Sequence, residues 1–197
     1  MTEPNPIIAV IDETAPEDKR GIYYVVTAAL LLDAEQVRAA LTEVLPTDRK
    51  RPFHWANEGP QARQRMMTVI IDTGVVAHVC VHHPTGRRRQ EQARRSAMGE
   101  LLPMIVADGA EELIIESRST REDQRDRQSV IEALRGVETV ISYRWDQKTE
   151  PLLWVADAVC GVVKEYLLGE DVTGFDQLQA ASVLTEMMYR KPEGKTT

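Results

Sequence analysis

The sequence predicts an α/β domain with a mixed β-sheet flanked by helices, and three observations predict it. Apolar, β-branched runs alternate with helical segments along most of the chain, the pattern of strands covered by helices. The first two runs, Ile7 to Ile11 and Ile22 to Leu32, are joined only by the turn-forming residues 14–21, so they pair antiparallel and make the sheet mixed. There is no G-x-G-x-x-G after the first run and no G-x-x-x-x-G-K-[ST], which sets aside dinucleotide-binding and P-loop domains.

The elements follow in order. Gly21 closes the first turn. Asp33 is a good N-cap for a helix from Ala34 to Leu45, stopped by Pro46. Lys50 to Trp55 is a loop or short edge segment, and a helix runs from Pro60 to Ile71 with Gly74 just past its end. Val75 to His83 is a third strand, ended by Pro84 and Gly86, and Arg88 to Val106 is a long helix containing Pro103. Glu111 to Ser117 is a strand, Arg121 to Leu134 an amphipathic helix and Val137 to Tyr143 a short strand. Thr149 caps a helix from Glu150 to Leu168 that tolerates Pro151 in its first turn. A last helix spans Phe175 to Tyr189. Residues 1–170 therefore read as one domain and 171–197 as a C-terminal helix and polar tail. Leu178, Leu184, Met187 and Met188 give that helix an apolar face for docking in cis or for a homodimer.

Composition bounds the function. A chain of 197 residues with 43% hydrophobic content builds one sizeable core. No run approaches bilayer-spanning length, and Met1 to Pro4 lacks the basic-then-apolar pattern of a secretory signal. Cys80 and Cys160 lie in apolar segments and read as buried, unreactive thiols; the expectation is a cytoplasmic protein without a membrane partner. A formal net charge of −7 argues against gripping nucleic acid over a wide surface, though not against a local basic groove.

Three acids carry the chemistry. Asp12 closes the run Ile7-Ile8-Ala9-Val10-Ile11, which suits a strand buried on both faces. A carboxylate buried there needs a cation, a metal ion or hydrogen-bond donors, unless the strand stops at Ile11 and Asp12 and Glu13 sit in a solvated turn. Asp157 is the only charge from Pro151 to Val163, on a helix apolar all round and therefore buried. Its mid-helix place rules out capping and leaves a metal or a buried Arg partner. Glu116 closes Leu113-Ile114-Ile115, and strand ends on one edge of an α/β sheet are where sites assemble. Taken alone, Glu116 pairs as easily with Arg118. Together, three carboxylates suit Mg²⁺ or Mn²⁺, which can clamp the oxygens of a phosphodiester.

Asp12-Glu13 after an apolar strand, Phe53-His54 after the first helix, Ile115-Glu116-Ser117-Arg118 and Leu153-x-x-Ala156-Asp157 resemble the bacterial and phage family called domain of unknown function 3800. That family is regarded as ribonuclease-H-like, so the resemblance implies Asp12 on the central first strand, Glu116 on the fourth strand and Asp157 on the closing helix. Members often read Asp-Glu-Ser-Gly at the first strand, where Thr14-Ala15 follows the acids here, and a Gln commonly precedes the Ala-Asp pair, where Leu153, Trp154 and Val155 stand.

Glu13 and Asp126 are weaker candidates for further metal ligands, and Asp126 and Asp123 have a plainer role pairing with Arg121, Arg125 and Arg127 on a solvated helix. Asp146 reads as a loop acid. Arg118 and His54 are candidates for substrate contact, with a packed loop histidine the plainer reading of His54. Arg87, Arg88 and Arg89 with Arg94 and Arg95 form the cleaner of two basic stretches, though a solvated helix start accounts for them too. His82 and His83 point to opposite faces of a strand, and His78 with His82 supplies two ligands where zinc needs three or four. The expected function is metal-assisted hydrolysis of nucleic-acid phosphodiesters by Asp12, Glu116 and Asp157; the alternative is a non-catalytic ribonuclease-H-like module that binds a protein or nucleic acid.

Overall fold

A computed structural model describes residues 5–45 and 51–191; Pro46, Lys50, the first four positions and the tail beyond Lys191 lie outside the described residues. The sheet is built outward from β1 (Ile8–Thr14), buried from Ile8 to Asp12. A two-residue strand, β2 (Glu17–Asp18), pairs with the start of β3 (Gly21–Leu31), and β3 runs antiparallel to β1 from Ile8↔Leu31 to Thr14↔Val25. β4 (Val76–Thr85) extends the antiparallel side. On the other side β5 (Glu112–Glu116) lies parallel to β1, and β6 (Ser142–Asp146) parallel to β5. β7 (Leu184–Arg190) closes the far edge parallel to β4, giving the order β6-β5-β1-β3-β4-β7 among the described residues.

Helices cover both faces. α1 (Ala34–Val44), α2 (Pro60–Asp72), α5 (Leu153–Leu168) and α6 (Thr173–Ala180) enclose one core, and α3 (Gln90–Ala107) and α4 (Thr120–Ala133) the other. Asp33 caps α1 as expected, its Oδ1 accepting from the Gln36 N–H at 3.0 Å. On β1, Ile8 and Val10 enter the α5-side core, whereas Ala9 and Ile11 enter the α3-side core. This two-residue period sends Asp12 toward α5 and Glu13 toward α3 and α4. On β5, Ile114 faces α5, so Glu116 does as well, and the register Ile11↔Ile115 sets Glu116 beside Asp12 on the neighbouring strand.

Four elements differ from expectation. The predicted helix over 175–189 stops at Ala180; Ser182 turns the chain with φ of 58°, and residues 184–190 become β7. The outer edge of β4 offers backbone groups that need partners, and pairing with them outweighs the helical preference of this stretch. Leu178 is buried in the α5-side core, with Leu184 and Met187 packed against it and Met188 against the opposite core. The apolar helix face expected to support a homodimer is therefore not formed, and the C-terminal segment completes the sheet. β6 begins at Ser142 rather than Val137. α5 begins at Leu153 and Thr149 does not cap it; instead the Glu150 carboxylate accepts from the Leu152 N–H at 3.1 Å and binds Arg38 and Arg144. Pro84 lies within β4 rather than past its end. No helix among the described residues is long and apolar enough to cross a membrane.

The apolar sequence of α5 is buried as its composition demands, and one glycine in it sets the approach of the preceding loop. A Cβ at Gly161 would stand 2.2 Å from Cδ1 and 2.3 Å from Cγ of the buried Trp55 ring. Gly161→Ala is expected to cost about 1–3 kcal/mol of stability in urea denaturation, the usual penalty of overpacking. Gly99→Ala on α3, where the new methyl meets nothing within 4 Å, should instead be neutral or stabilise by about 0.5–1 kcal/mol.

Candidate metal centre

The strand and helix placements bring the three expected acids to one point. Lys148 Nζ, from the turn between β6 and α5, lies 3.6 Å from Asp12 Oδ2, 3.3 Å from Glu116 Oε2 and 2.9 Å from Asp157 Oδ1. Asp12 and Asp157 are each only 5% exposed. Sequence reasoning missed Lys148; its signal was a lone lysine in the connection leading into the helix that carries Asp157.

Asp12 and Asp157 have further partners that fix their rotamers. The Glu13 backbone N–H donates to Asp12 Oδ1 at 2.7 Å. Asp157 Oδ2 accepts the Trp55 backbone N–H at 2.6 Å, and His54 Nδ1 lies 2.6 Å from Asp157 Oδ1. His54 is thus part of the site, its ring half exposed with one nitrogen on Asp157, and not a histidine packed within a loop. Glu116 Oε2 is the exception: it is buried and accepts no hydrogen bond, despite the ammonium 3.3 Å away. Glu116 is not paired with Arg118.

Burial pushes Asp12 well above the ordinary carboxylate range; Lys148 opposes this and Glu116, Glu13 and Asp157 add to it. Burial works against the Lys148 ammonium, yet Asp12, Asp157 and Glu116 together outweigh it and hold its pKa above the usual lysine value. Cys160, packed under the site with its thiol on the Asp12 carbonyl and the Thr27 hydroxyl, is pushed far up by burial. It is as inert as its sequence context indicated.

Glu13 and Asp126 do not join the trio. They lie on the opposite face of the sheet around Arg94, a side chain only 1% exposed. Arg94 donates two parallel bonds of 2.9 Å to Asp126 and a third to Glu13. Arg118 adds to the same network, reaching Asp126 at 3.0 Å, Glu91 at 2.7 Å and Glu13 at 3.7 Å. Asp126 is therefore buried rather than paired on a solvated helix, and Arg118 is spent on carboxylates rather than free for a phosphate. Asp123 accepts from the Ser117 hydroxyl and the Arg118 N–H, holding the turn that starts α4. Arg94 is no part of a basic surface. Arg87 and Arg88 stand exposed before α3, with Arg87 on Glu17 at 3.1 Å. Asp146 ends β6 and is tied to Arg144.

The trio's donors are of the kind a hard divalent cation takes, but their oxygens are spread around the Lys148 ammonium and do not all lie within 4.8 Å of one another. Three carboxylates surround one positive charge, and Glu116 Oε2 is an oxygen without a donor. The present shell of 2.9–3.6 Å suits an ammonium.

No family model matches the chain and no curated protein does, so the resemblance to domain of unknown function 3800 rests on its motifs. Solved structures do match. A chain from the structure of the PCNA:RNase HII complex from Archaeoglobus fulgidus aligns over 90% of both chains at 13% identity, with a TM-score of 0.57. Ribonuclease H2 from Pyrococcus horikoshii OT3 aligns over 89% of this chain and 77% of its own at 12% identity, with a TM-score of 0.46. The fold is ribonuclease-H-like, a mixed sheet flanked by helices.

Two outcomes test this charge arrangement. Between the ordinary and the raised pKa of Asp12, the folded protein keeps a proton that the unfolded chain has lost, so stability falls as pH rises through that window. Asp12→Asn should therefore raise the thermal midpoint at pH 7 without divalent ions, and the gain should shrink as the pH is lowered into the carboxylate range. On the other face, Arg94→Met strands Glu13 and Asp126 and should cost about 3–5 kcal/mol in denaturant unfolding.

Proposed function

We propose that this protein is a divalent-metal-dependent nuclease or phosphodiesterase that hydrolyses nucleic-acid phosphodiesters, with Asp12, Glu116 and Asp157 holding Mg²⁺ or Mn²⁺. The observation that carries this reading is the meeting of those three acids around a single cationic centre at the C-terminal ends of β1 and β5. The ribonuclease-H-like fold supports it. A divalent ion bound there supplies positive charge to the reacting phosphate and lowers the pKa of the attacking water.

The protein's own groups supply the rest. Trp55 N–H and His54 Nδ1 hold the Asp157 carboxylate in place, so the site is built before substrate arrives. The exposed side of the His54 imidazole is available to pass a proton between the site and solvent. Lys148, one quarter exposed, would yield the centre to such an ion and place its ammonium at the rim for a phosphate oxygen. Arg87 and Arg88 remain candidates for contacts farther along a bound strand.

The same Lys148 supports a second reading, a non-catalytic ribonuclease-H-like binding module in which the ammonium is the permanent partner of the acids. Manganese calorimetry separates the two. The nuclease reading expects stoichiometric Mn²⁺ binding that is lost in Asp12→Asn and tightened in Lys148→Met, where the competing cation is gone. It also expects cleavage of RNA, DNA or hybrid substrates to fall by about 100-fold or more in Asp157→Asn, and by about 10–100-fold in His54→Ala. No Mn²⁺ binding, together with any cleavage unchanged in Asp12→Asn, would leave the binding module standing.

A further inference from the structure

Behind the opposite face of the sheet lies a donor set of different chemistry. His78, Cys80 and His82 share the α3-facing side of β4 through its two-residue period. Glu100 comes to the same place from α3. A Cys80 sulfur, a His82 ring nitrogen and a Glu100 oxygen all lie within 4.8 Å of one another. From sequence alone the histidines are set aside as a zinc site, because His78 and His82, on one face, supply only two ligands. His78 has both ring nitrogens engaged, by Asp108 at 2.6 Å and Thr185 at 3.1 Å. Cys80 takes its place, and Glu100 supplies the third ligand from an element 18 residues further along.

Two independent features point to a ligand here. His82 is 8% exposed, and its Nε2 is buried without a hydrogen-bond partner. A buried ring nitrogen in that condition is destabilising unless something occupies it. Beside it opens a cavity of about 340 Å³ lined by His82, Thr85, Gln92, Ser96, Glu100 and Arg190, which gives an ion a way in and room for a water.

We propose that Cys80, His82 and Glu100 form a binding site for a borderline divalent cation of the Zn²⁺ type, separate from the carboxylate trio and closed by a water on the cavity side. One sulfur, one nitrogen and one oxygen match zinc, whereas magnesium and manganese select oxygen shells. Thiolate and carboxylate face the ion with two negative charges, the carboxylate shared with Arg190. Without metal, Arg190 fills this role from the end of β7, its Nε lying 2.9 and 2.7 Å from the two Glu100 oxygens. On metal binding one Glu100 oxygen turns to the ion and the other stays on Arg190, so β4, α3 and β7 are tied at one point. Burial lowers the His82 pKa, which keeps the ring neutral with a lone pair to give. Burial and then Glu100 push the Cys80 thiol up to about 12, so the ion must displace its proton, and uptake releases one proton to solvent.

Cobalt(II), a spectroscopic stand-in for zinc, tests the site directly. Titration of the full chain should give a near-ultraviolet thiolate-to-cobalt charge-transfer band that saturates at one equivalent and is bleached by Zn²⁺. The band should vanish in Cys80→Ser and persist in both Cys160→Ser and Asp12→Asn. Glu100 is partly exposed, so Glu100→Gln leaves the fold intact and should weaken Zn²⁺ binding about tenfold or more. Absence of the band in the wild-type protein, or a band that survives Cys80→Ser, overturns the proposal. Neither result bears on Mn²⁺ binding at Asp12, which has no thiolate ligand.

Discussion

Two neighbouring carboxylates at the end of a buried strand dictate the layout of the molecule. β1 cannot leave Asp12 and Glu13 unpaired among apolar neighbours, and its pleat sends them to opposite faces. Each face answers with positive charge. Arg94 meets Glu13 from α3, and Lys148 meets Asp12 from the turn before α5. Both cations also gather acids from farther along the chain, Asp126 in the first case and Glu116 with Asp157 in the second.

The two halves of this arrangement differ in how easily the cation can leave. Arg94 is enclosed and makes a planar bidentate pair with Asp126, a carboxylate it shares with Arg118, a geometry that fixes α3 and α4 against the sheet. Lys148 is a flexible point charge on a turn, one quarter exposed, that leaves one Glu116 oxygen without a donor. The guanidinium side is a structural clasp. The ammonium side is the more open of the two, held by a single point charge on a turn. Burial, with the neighbouring acids adding to it, keeps Asp12 hard to ionise.

β4 extends the same logic to softer donors. Its α3-facing side carries two histidines and a cysteine in succession, and each is treated differently by what packs over it. His78 is satisfied by Asp108 and Thr185, while His82 and Cys80 wait beside Glu100 with a ring nitrogen unsatisfied. The edge strand β7 matters here because Arg190 at its end holds Glu100 over that pair.

Much of this was legible in the order of residues. The apolar runs, the short first connection and the acids ending them determined an α/β domain with a mixed sheet and singled out Asp12, Glu116 and Asp157, because an uncompensated charge in an apolar run is costly wherever the chain goes. The first part of α5, apolar up to Val163 but for Asp157, determined its own burial. Tertiary structure alone decided which cation answers each acid. Lys148, Arg94 and His54 stand 136, 32 and 103 residues from Asp12, Asp126 and Asp157, and nothing local relates them. It also decided that residues 184–190 extend the sheet, since the open edge of β4 is a partner no local propensity can register. Periodicity says which side of a strand a residue faces; only packing says what waits there.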